Sequence, residues 1–411
     1  MPEATYYSRF AEARLIEALG DSPVVLVHGP RQCGKTTLVR RICEPEGYTY
    51  FSFDDPAVLA AASSDPSGFI ADLPKRVILD EVQRVPSLFS SIKLAVDRER
   101  RAGRFVLTGS ANVLLLPTLS DSLAGRMETV RLHPLSQGEL GGRHAWFPAA
   151  LFSAMPASGS YHRLGPLLAE RIVAGGYPAA LARRSPTRRA AWYRDYIDAL
   201  VQRDVRELSR IRSLDVLPSL LSAVAGQTAR LLNVAGLAAP FNVSRVTIGE
   251  YVTLLERLFL VDVVPPWHSN RLSRLVKTPK AHMGDSGVAC ALLGLDAAAL
   301  YADRETYGQL VESFVYQEIR RQASGVDLPL RVHHFRDKDG VEVDLVIERA
   351  GRELAGVEVK AASTVTDKDF RGMRKLREAA GKRFRAGVVL YDGEAAVSFG
   401  DDLFAIPISA L

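Results

Sequence analysis

Two groups of residues in this 411-residue chain have types and spacings suited to chemistry on phosphate. The first is the run Gly29-Pro30-Arg31-Gln32-Cys33-Gly34-Lys35-Thr36-Thr37, which follows the apolar PVVLV and leads into LVRRIC. Apolar strand, G-x-x-x-x-G-K-T loop and helix is the setting that a phosphate-binding loop requires. Gly29 and Gly34 let the backbone curl so that successive amides point at a polyphosphate, and the helix beginning near Lys35 adds the positive end of its dipole. Lys35 would reach the β- and γ-phosphates of ATP, and the Thr36 hydroxyl would ligate Mg2+. A second apolar run, RVILDE, ends in Asp80 and Glu81. Asp80 would hold the same Mg2+ through water, and Glu81 would orient and deprotonate the attacking water. A third run, RFVLTGSAN, ends in Thr108, Ser110 and Asn112, which either sense the γ-phosphate or cap a turn. Arg126, after the glycine of SLAGR, is either a surface arginine or a finger that stabilises transferred charge in a neighbouring subunit. The second case implies a homo-oligomer, as a ring or filament.

The second group lies in VEVDLVIERAGRELAGVEVKAA, Val341 to Ala362. Alternation puts Val341, Val343, Leu345 and Ile347 on one face of a strand, with Glu342 and Asp344 on the other. In the next strand Val357 and Val359 face one way while Glu358 and Lys360 face the other. If the apolar faces align, Asp344, Glu358 and Lys360 converge. Two carboxylates could hold Mg2+ or Mn2+ for phosphodiester hydrolysis, and the lysine could orient water or offset developing charge. A half-exposed hairpin with its charges in water shows the same alternation. Downstream, Lys368, Arg371, Arg374 and Lys375 form a basic helix face that either tracks a phosphate backbone or is simply solvated.

These residues need elements to hold them. The short, continuous apolar runs around residues 23–27, 76–81 and 104–109 read as buried strands of a parallel sheet. Residues 148–166, rich in Pro, Gly, Ser and Ala, read as a loop leading to helices such as AWYRDYIDALVQRDVREL. From Val216 to Val264 the pattern is two short helices, a longer helix starting at a Ser244 cap, then a strand and turn in FLVDVVPPW. That is the order of a winged helix. If it binds DNA, Ser244, Arg245 and Thr247 would enter the major groove; the same module can equally serve as a protein contact. Past Tyr307 the order is helix, strand, an Asp339-Gly340 turn, two strands, a helix and a strand.

The pieces HGPRQCGKTTL, VILDEVQRVP, FVLTGSAN, SLAGR and AGGYPAAL resemble an AAA+ type ATPase. More narrowly, they resemble the prokaryotic family that joins such a core to a C-terminal domain of unknown function. The resemblance implies that Pro178, in the GGYP lid motif, packs on the adenine. It also makes Asp285, in D-x-G, either a functional acid or a helix cap. The C-terminal order and the D…E-x-K pattern resemble the PD-(D/E)xK nuclease superfamily with its restriction-endonuclease-like core. Its first helix often supplies another acid, which here would be Glu312 or Glu318. Glu318 is the odder, since it falls in the stripe formed by Val311, Phe314, Val315 and Ile319.

The expected fold class is α/β: a P-loop NTPase parallel-sheet core (1–150), a helical lid (151–213), a winged helix (214–266), a connector (267–305) and a nuclease-like α/β domain (306–411). Ordinary apolar and charged fractions of 47% and 24% argue against disorder. The net charge of +5 is too small to demand an anionic partner by itself. Cys33, Cys43 and Cys290 are too few and scattered for a disulfide framework or zinc site, which fits a reducing cytoplasm. No signal-peptide pattern opens the chain and no apolar run approaches membrane-spanning length. The expectation is therefore a cytoplasmic protein with ATP and DNA as partners and no membrane.

Overall fold

The computed structural model describes residues 6–110, 123–156, 158–204, 216–269, 278–326, 330–349 and 352–411. Asn112, the expected lid boundary at residues 213 and 214, and most of the basic run ahead of D-x-G lie outside the described residues. The chain divides into two compact units, residues 1–135 with Glu256–Phe259, and residues 136–255 with 260–411.

The first unit is built on five parallel strands: β1 (Val24–His28), β2 (Thr49–Ser52), β3 (Val77–Asp80), β4 (Phe105–Gly109) and β5 (Met127–Arg131). They lie in the order β2-β3-β4-β1-β5. The central strands β1, β3 and β4 are continuously apolar up to their carboxyl ends, where His28, Asp80 and Thr108 stand, because both faces of the sheet are covered. Val24, Leu26, Val77, Leu79, Phe105 and Leu107 point into one core; Val25, Val27, Ile78, Val106 and Val130 point into the other. Helices α1 (Ala11–Asp21) and α2 (Lys35–Cys43) close the second face through Leu15, Leu38 and Val39. Helices α3 (Pro56–Ser64), α4 (Pro66–Asp72) and α5 (Leu88–Arg98) close the first through Ala62, Ile70, Phe89 and Ile92. Each large aliphatic side chain buried this way contributes roughly 1.5–3 kcal/mol. The carboxyl ends of β1, β3 and β4 consequently share one edge, where Gly29, Asp80 and Ser110 emerge.

The second unit opens with short helices at Gln137–Leu140 and Phe147–Ala150 and a three-residue strand β6 (Ser158–Ser160). Helices α6 (Pro166–Ala174), α7 (Pro178–Leu181) and α8 (Pro186–Ala199) follow, each with a proline in its first turn, where no amide hydrogen bond is lost. Next come α9 (Val216–Ala225), β7 (Arg230–Leu231), α10 (Val234–Ala238) and α11 (Arg245–Arg257). Asn233 caps α10 by accepting from the Gly236 amide at 2.9 Å. Strands β8 (Val261–Val264) and β9 (Lys280–Met283) complete an antiparallel sheet in the order β7-β9-β8. The partner of β8 therefore comes not from an adjoining hairpin but from the stretch read above as a connector.

After α12 (Ser286–Leu293), helix α13 (Arg304–Ala323) leads into β10 (Arg331–Arg336), β11 (Glu342–Glu348) and β12 (Leu354–Lys360). Helix α14 (Arg371–Ala380) and strands β13 (Phe384–Tyr391), β14 (Ala395–Ser398) and β15 (Leu403–Pro407) finish the chain. The sheet is mixed, in the order β10-β11-β12-β13-β15-β14-β6. Two outcomes differ from the expected pattern. Strands β14 and β15 extend the sheet beyond AGVVLY, and β6 arises in a segment read as loop. Its sequence, Ser-Gly-Ser, carries no apolar alternation, since its three residues are all exposed and backbone pairing to β14 alone defines it.

Candidate functional site

In the first unit, the loop after β1 holds Gly29 to Thr37. A Cβ on Gly29 would lie 2.0 Å from the Leu132 carbonyl oxygen, so only glycine fits there. Gly34 sits at φ +103, a left-handed conformation that favours glycine, and starts α2. The buried Lys35 ammonium donates to the carbonyl oxygens of Gly29 and Pro30 at 3.1 and 2.9 Å. Its charge is thereby folded back over its own loop. Arg31 and Gly34 are half-buried, Cys33 is buried, and Gln32 and Thr37 are exposed.

The Thr36 hydroxyl donates to Asp80 at 3.1 Å from each carboxylate oxygen. Asp80 also accepts from Thr108 and, at 2.7 Å, from the Tyr50 hydroxyl. A hydroxyl beside a buried carboxylate at the head of this loop is the hard-oxygen set that Mg2+ takes. The expected residues therefore fit the ion. Glu81 follows at φ +59, and its carboxylate accepts from Gln83 Nε2 at 2.5 Å and Ser110 Oγ at 2.9 Å. Arg126 forms a two-point pair with Asp97 of α5, Nε at 2.5 Å and a terminal nitrogen at 3.0 Å. Tyr50 and Gln83 were not singled out in the sequence. Gln83 carries a local signal, two residues beyond Glu81 in DEVQ; Tyr50 carries none, because only the pairing of β2 with β3 brings it to Asp80.

In the second unit, β11 and β12 pair antiparallel with Leu345 opposite Val357, so Asp344 and Glu358 come next on the facing strands. Asp344 Oδ2 accepts from the Val359 amide at 3.0 Å, and Lys360 Nζ lies 2.8 Å from Glu358 Oε1. Helix α13 brings Glu312 to this cluster. Sequence reasoning missed the group at its centre, Lys280 of β9, whose ammonium lies 2.7 Å from Glu312 Oε1 and 3.1 Å from Asp344 Oδ1. Its position had no signal, being far from the D…E-x-K residues in the chain. Burial by itself would depress the Lys280 pKa, but Asp344 and Glu312 outweigh it and hold it above the ordinary lysine value. Burial, then Asp344, pushes the Glu312 carboxyl well above the usual range, and the same two causes lift Glu358 to about 7. A divalent cation does not fit these side chains as they stand, because an ammonium bridges two of the three acids. Among the described residues no group of three or more His, Cys, Asp or Glu side chains is placed to hold a metal ion.

Glu318 does not join the cluster. Six residues beyond Glu312, it points about 120° away around the helix. It accepts from the Gln137 amide at 2.8 Å and from Arg321 at 3.1 Å. Arg321 in turn donates to Asp285 at 2.9 Å, and Asp285 caps α12 while accepting from the Gly176 amide at 2.9 Å. Of the two readings of Asp285, the helix cap is therefore present, and it also ties GGYP to D-x-G. Pro178 starts α7, half-buried, beside the buried Tyr177. Ser244 Oγ accepts from the Thr247 amide at 3.0 Å and contacts its hydroxyl at 2.9 Å, so both are engaged in capping α11; Arg245 is exposed. Lys368, Arg371 and Lys375 are exposed, with Lys375 3.5 Å from Glu378.

Residues 21–141 match the AAA domain family. Residues 165–299 and 307–411 match two domains of unknown function, DUF8612 and DUF4143. The uncharacterized protein Rv2008c of Mycobacterium tuberculosis is 30% identical over 401 residues, spanning 97% of this chain and 83% of its own. Uncharacterized protein Mb2031c of Mycobacterium bovis matches with the same values. Among solved structures, the Walker-type ATPase PABY2304 of Pyrococcus abyssi aligns with a TM-score of 0.41 at 14% identity, covering 69% of this chain and 94% of that one.

Proposed function

The chain belongs to the family of the mycobacterial proteins Rv2008c and Mb2031c, and with its AAA domain as the starting point we propose that this P-loop ATPase hydrolyses ATP and couples the cycle to nucleic acid. The observation that carries the reading is the convergence of Lys35, Thr36 and Asp80 at the carboxyl ends of β1 and β3. Lys35 turns from the Gly29 and Pro30 carbonyls to the β- and γ-phosphates, and the amides of residues 30–37 cradle them. Thr36 and Asp80 would hold Mg2+, which would supply charge neutralisation at the transferring phosphoryl group. Glu81 leaves Gln83 and takes the proton of the attacking water, while Ser110 remains beside it to report on the γ-phosphate. Arg126 exchanges Asp97 for the nucleotide of a neighbouring subunit in a ring or filament. Pro178 closes on the adenine.

In the second unit, the order α13-β10-β11-β12-α14-β13 resembles a restriction-endonuclease-like core, and α9 to α11 with β7-β9-β8 resembles a winged helix. The proposed boundaries are those expected from sequence: core 1–150, lid 151–213, winged helix 214–266, connector 267–305 and nuclease-like domain 306–411. Arg245, Lys368, Arg371 and Lys375 are exposed cations able to meet a DNA backbone. Lys280, bridging the acids, favours a second form of the reading: a nucleotide-dependent switch whose nuclease-like domain binds DNA or a protein without cutting.

The test is ATP hydrolysis by the full chain alone and with duplex, single-stranded or branched DNA. DNA should accelerate hydrolysis, and Lys35→Ala should abolish it in every case. Hydrolysis indifferent to all three DNAs, with no retention of DNA on the protein, would replace nucleic acid by a protein partner. For the assembly, the rate per subunit should rise with protein concentration and fall in Arg126→Ala; a constant rate insensitive to that change removes the finger.

A further inference from the structure

The nuclease-like reading leads one to expect a divalent cation among Glu312, Asp344 and Glu358, and the side chains place something else there. Lys280 is 4% exposed. Its ammonium reaches Glu312 at 2.7 Å and Asp344 at 3.1 Å. The other Asp344 oxygen already accepts from the Val359 amide, and one Glu358 oxygen is held by Lys360. We propose that Lys280 takes the place of a metal ion, so that the acid cluster is a lysine-bridged, metal-excluding hub joining β9 to α13 and β11.

Mg2+ requires oxygens at about 2.0–2.1 Å in a near-octahedral shell, whereas an ammonium bridges them at hydrogen-bonding length. To admit the ion, Lys280 must withdraw. Its strand cannot move aside, since β9 is the middle strand of its sheet and Lys280 itself is paired with both Leu231 and Val264. Nor can the side chain swing readily to water from so buried a position. An expelled ammonium would remain a buried charge without its two carboxylates, which is strongly unfavourable. A tethered cation present in every molecule thus holds the acids together at any concentration of free metal. The bridge also crosses between the DUF8612 and DUF4143 matches, because Lys280 belongs to the first and all three acids to the second. The inference rests on the nuclease-like reading only for the expectation of a metal.

The experiment counts Mn2+ bound to the nucleotide-free full chain by electron paramagnetic resonance, comparing wild type with Asp344→Asn, Lys280→Met and the double variant. Wild type and Asp344→Asn should bind equally, with any Mn2+ at the phosphate loop common to both. Lys280→Met should gain about one Mn2+ per chain, lost again in the double variant, and Mn2+ should raise its melting temperature but not that of the double variant. An Asp344-dependent Mn2+ on the wild type overturns the proposal. So does a folded Lys280→Met that gains no Mn2+. If Lys280→Met does not fold, wild type against Asp344→Asn decides alone. None of these readouts involves ATP or DNA, so their outcome leaves the ATPase and nucleic-acid readings standing or falling separately.

Discussion

Asp80 accepts from three hydroxyls, those of Thr36, Tyr50 and Thr108, and Glu81 beside it accepts from Gln83 and Ser110. On the proposed reading the two neighbours differ in what they have left to do: Asp80 is placed to take a cation, whereas Glu81 has to leave Gln83 to serve as the base. Glu81→Gln should retain ATP in an equilibrium-binding assay yet lose turnover by roughly 10²–10⁴-fold, the usual worth of a general base. In the second unit, burial pushes the Glu318 carboxyl from 4.5 up to about 7, against the pull of Arg321. The folded chain then holds a proton that the unfolded chain has released. The stability it contributes is complete below about pH 4.5 and is lost as pH rises through 7. Urea unfolding across that window should show a decline to which this group contributes on the order of 3 kcal/mol, and Glu318→Gln should lessen the slope by that share while the part due to Glu312 and Glu358 stays.

At the scale of elements, helix α14 lies so close to β11 that a Cβ on Gly372 would meet the Glu342 carbonyl oxygen at 2.1 Å. Backbone cannot yield as a flexible side chain can. Gly372→Ala should lower unfolding stability by about 1–3 kcal/mol, measured by denaturant titration, while leaving ATP hydrolysis in the first unit intact. Asp285 is the other tie, capping α12 and taking Arg321 and the Gly176 amide. Asp285→Ala removes the α12 cap and one of the two carboxylates that the buried Arg321 guanidinium meets, leaving it Glu318, and should cost about 1–3 kcal/mol; Asp285→Asn, which keeps a capping oxygen, should cost less. Both motifs at this tie were visible in the sequence as GGYP and D-x-G. Their contact was not, since nothing local to either run specifies a partner more than a hundred residues away.

For the molecule as a whole, the family matches suggest three pieces, whereas contacts divide the described residues into two units. The piece that matches DUF4143 is not self-sufficient. Strand β6, from residues 158–160, covers the edge of β14, and Lys280 neutralises Glu312 and Asp344 from outside. A fragment spanning residues 307–411 would bury two acids without their cation and expose a strand edge. It should show no cooperative melt by circular dichroism under conditions where the full chain melts cooperatively.

Features encoded in short-range pattern were legible in the chain. Continuous apolar runs announced β1, β3 and β4 because a sheet covered on both faces needs no polar side; Gly29, Gly34 and Lys35 announced the loop because backbone curvature and phosphate charge demand those types at that spacing. Alternation likewise put Asp344, Glu358 and Lys360 on one face of adjoining strands. Features that depend on distant partners came only with the folded chain. It brought Tyr50 to Asp80 through the β2–β3 pairing, sent Glu312 and Glu318 to different surroundings around one helix, and added β6 through backbone hydrogen bonds that leave no side-chain signature. Above all it set Lys280 between two of the acids, because a charge is compensated by whatever lies near it in space, and sequence distance carries no information about that.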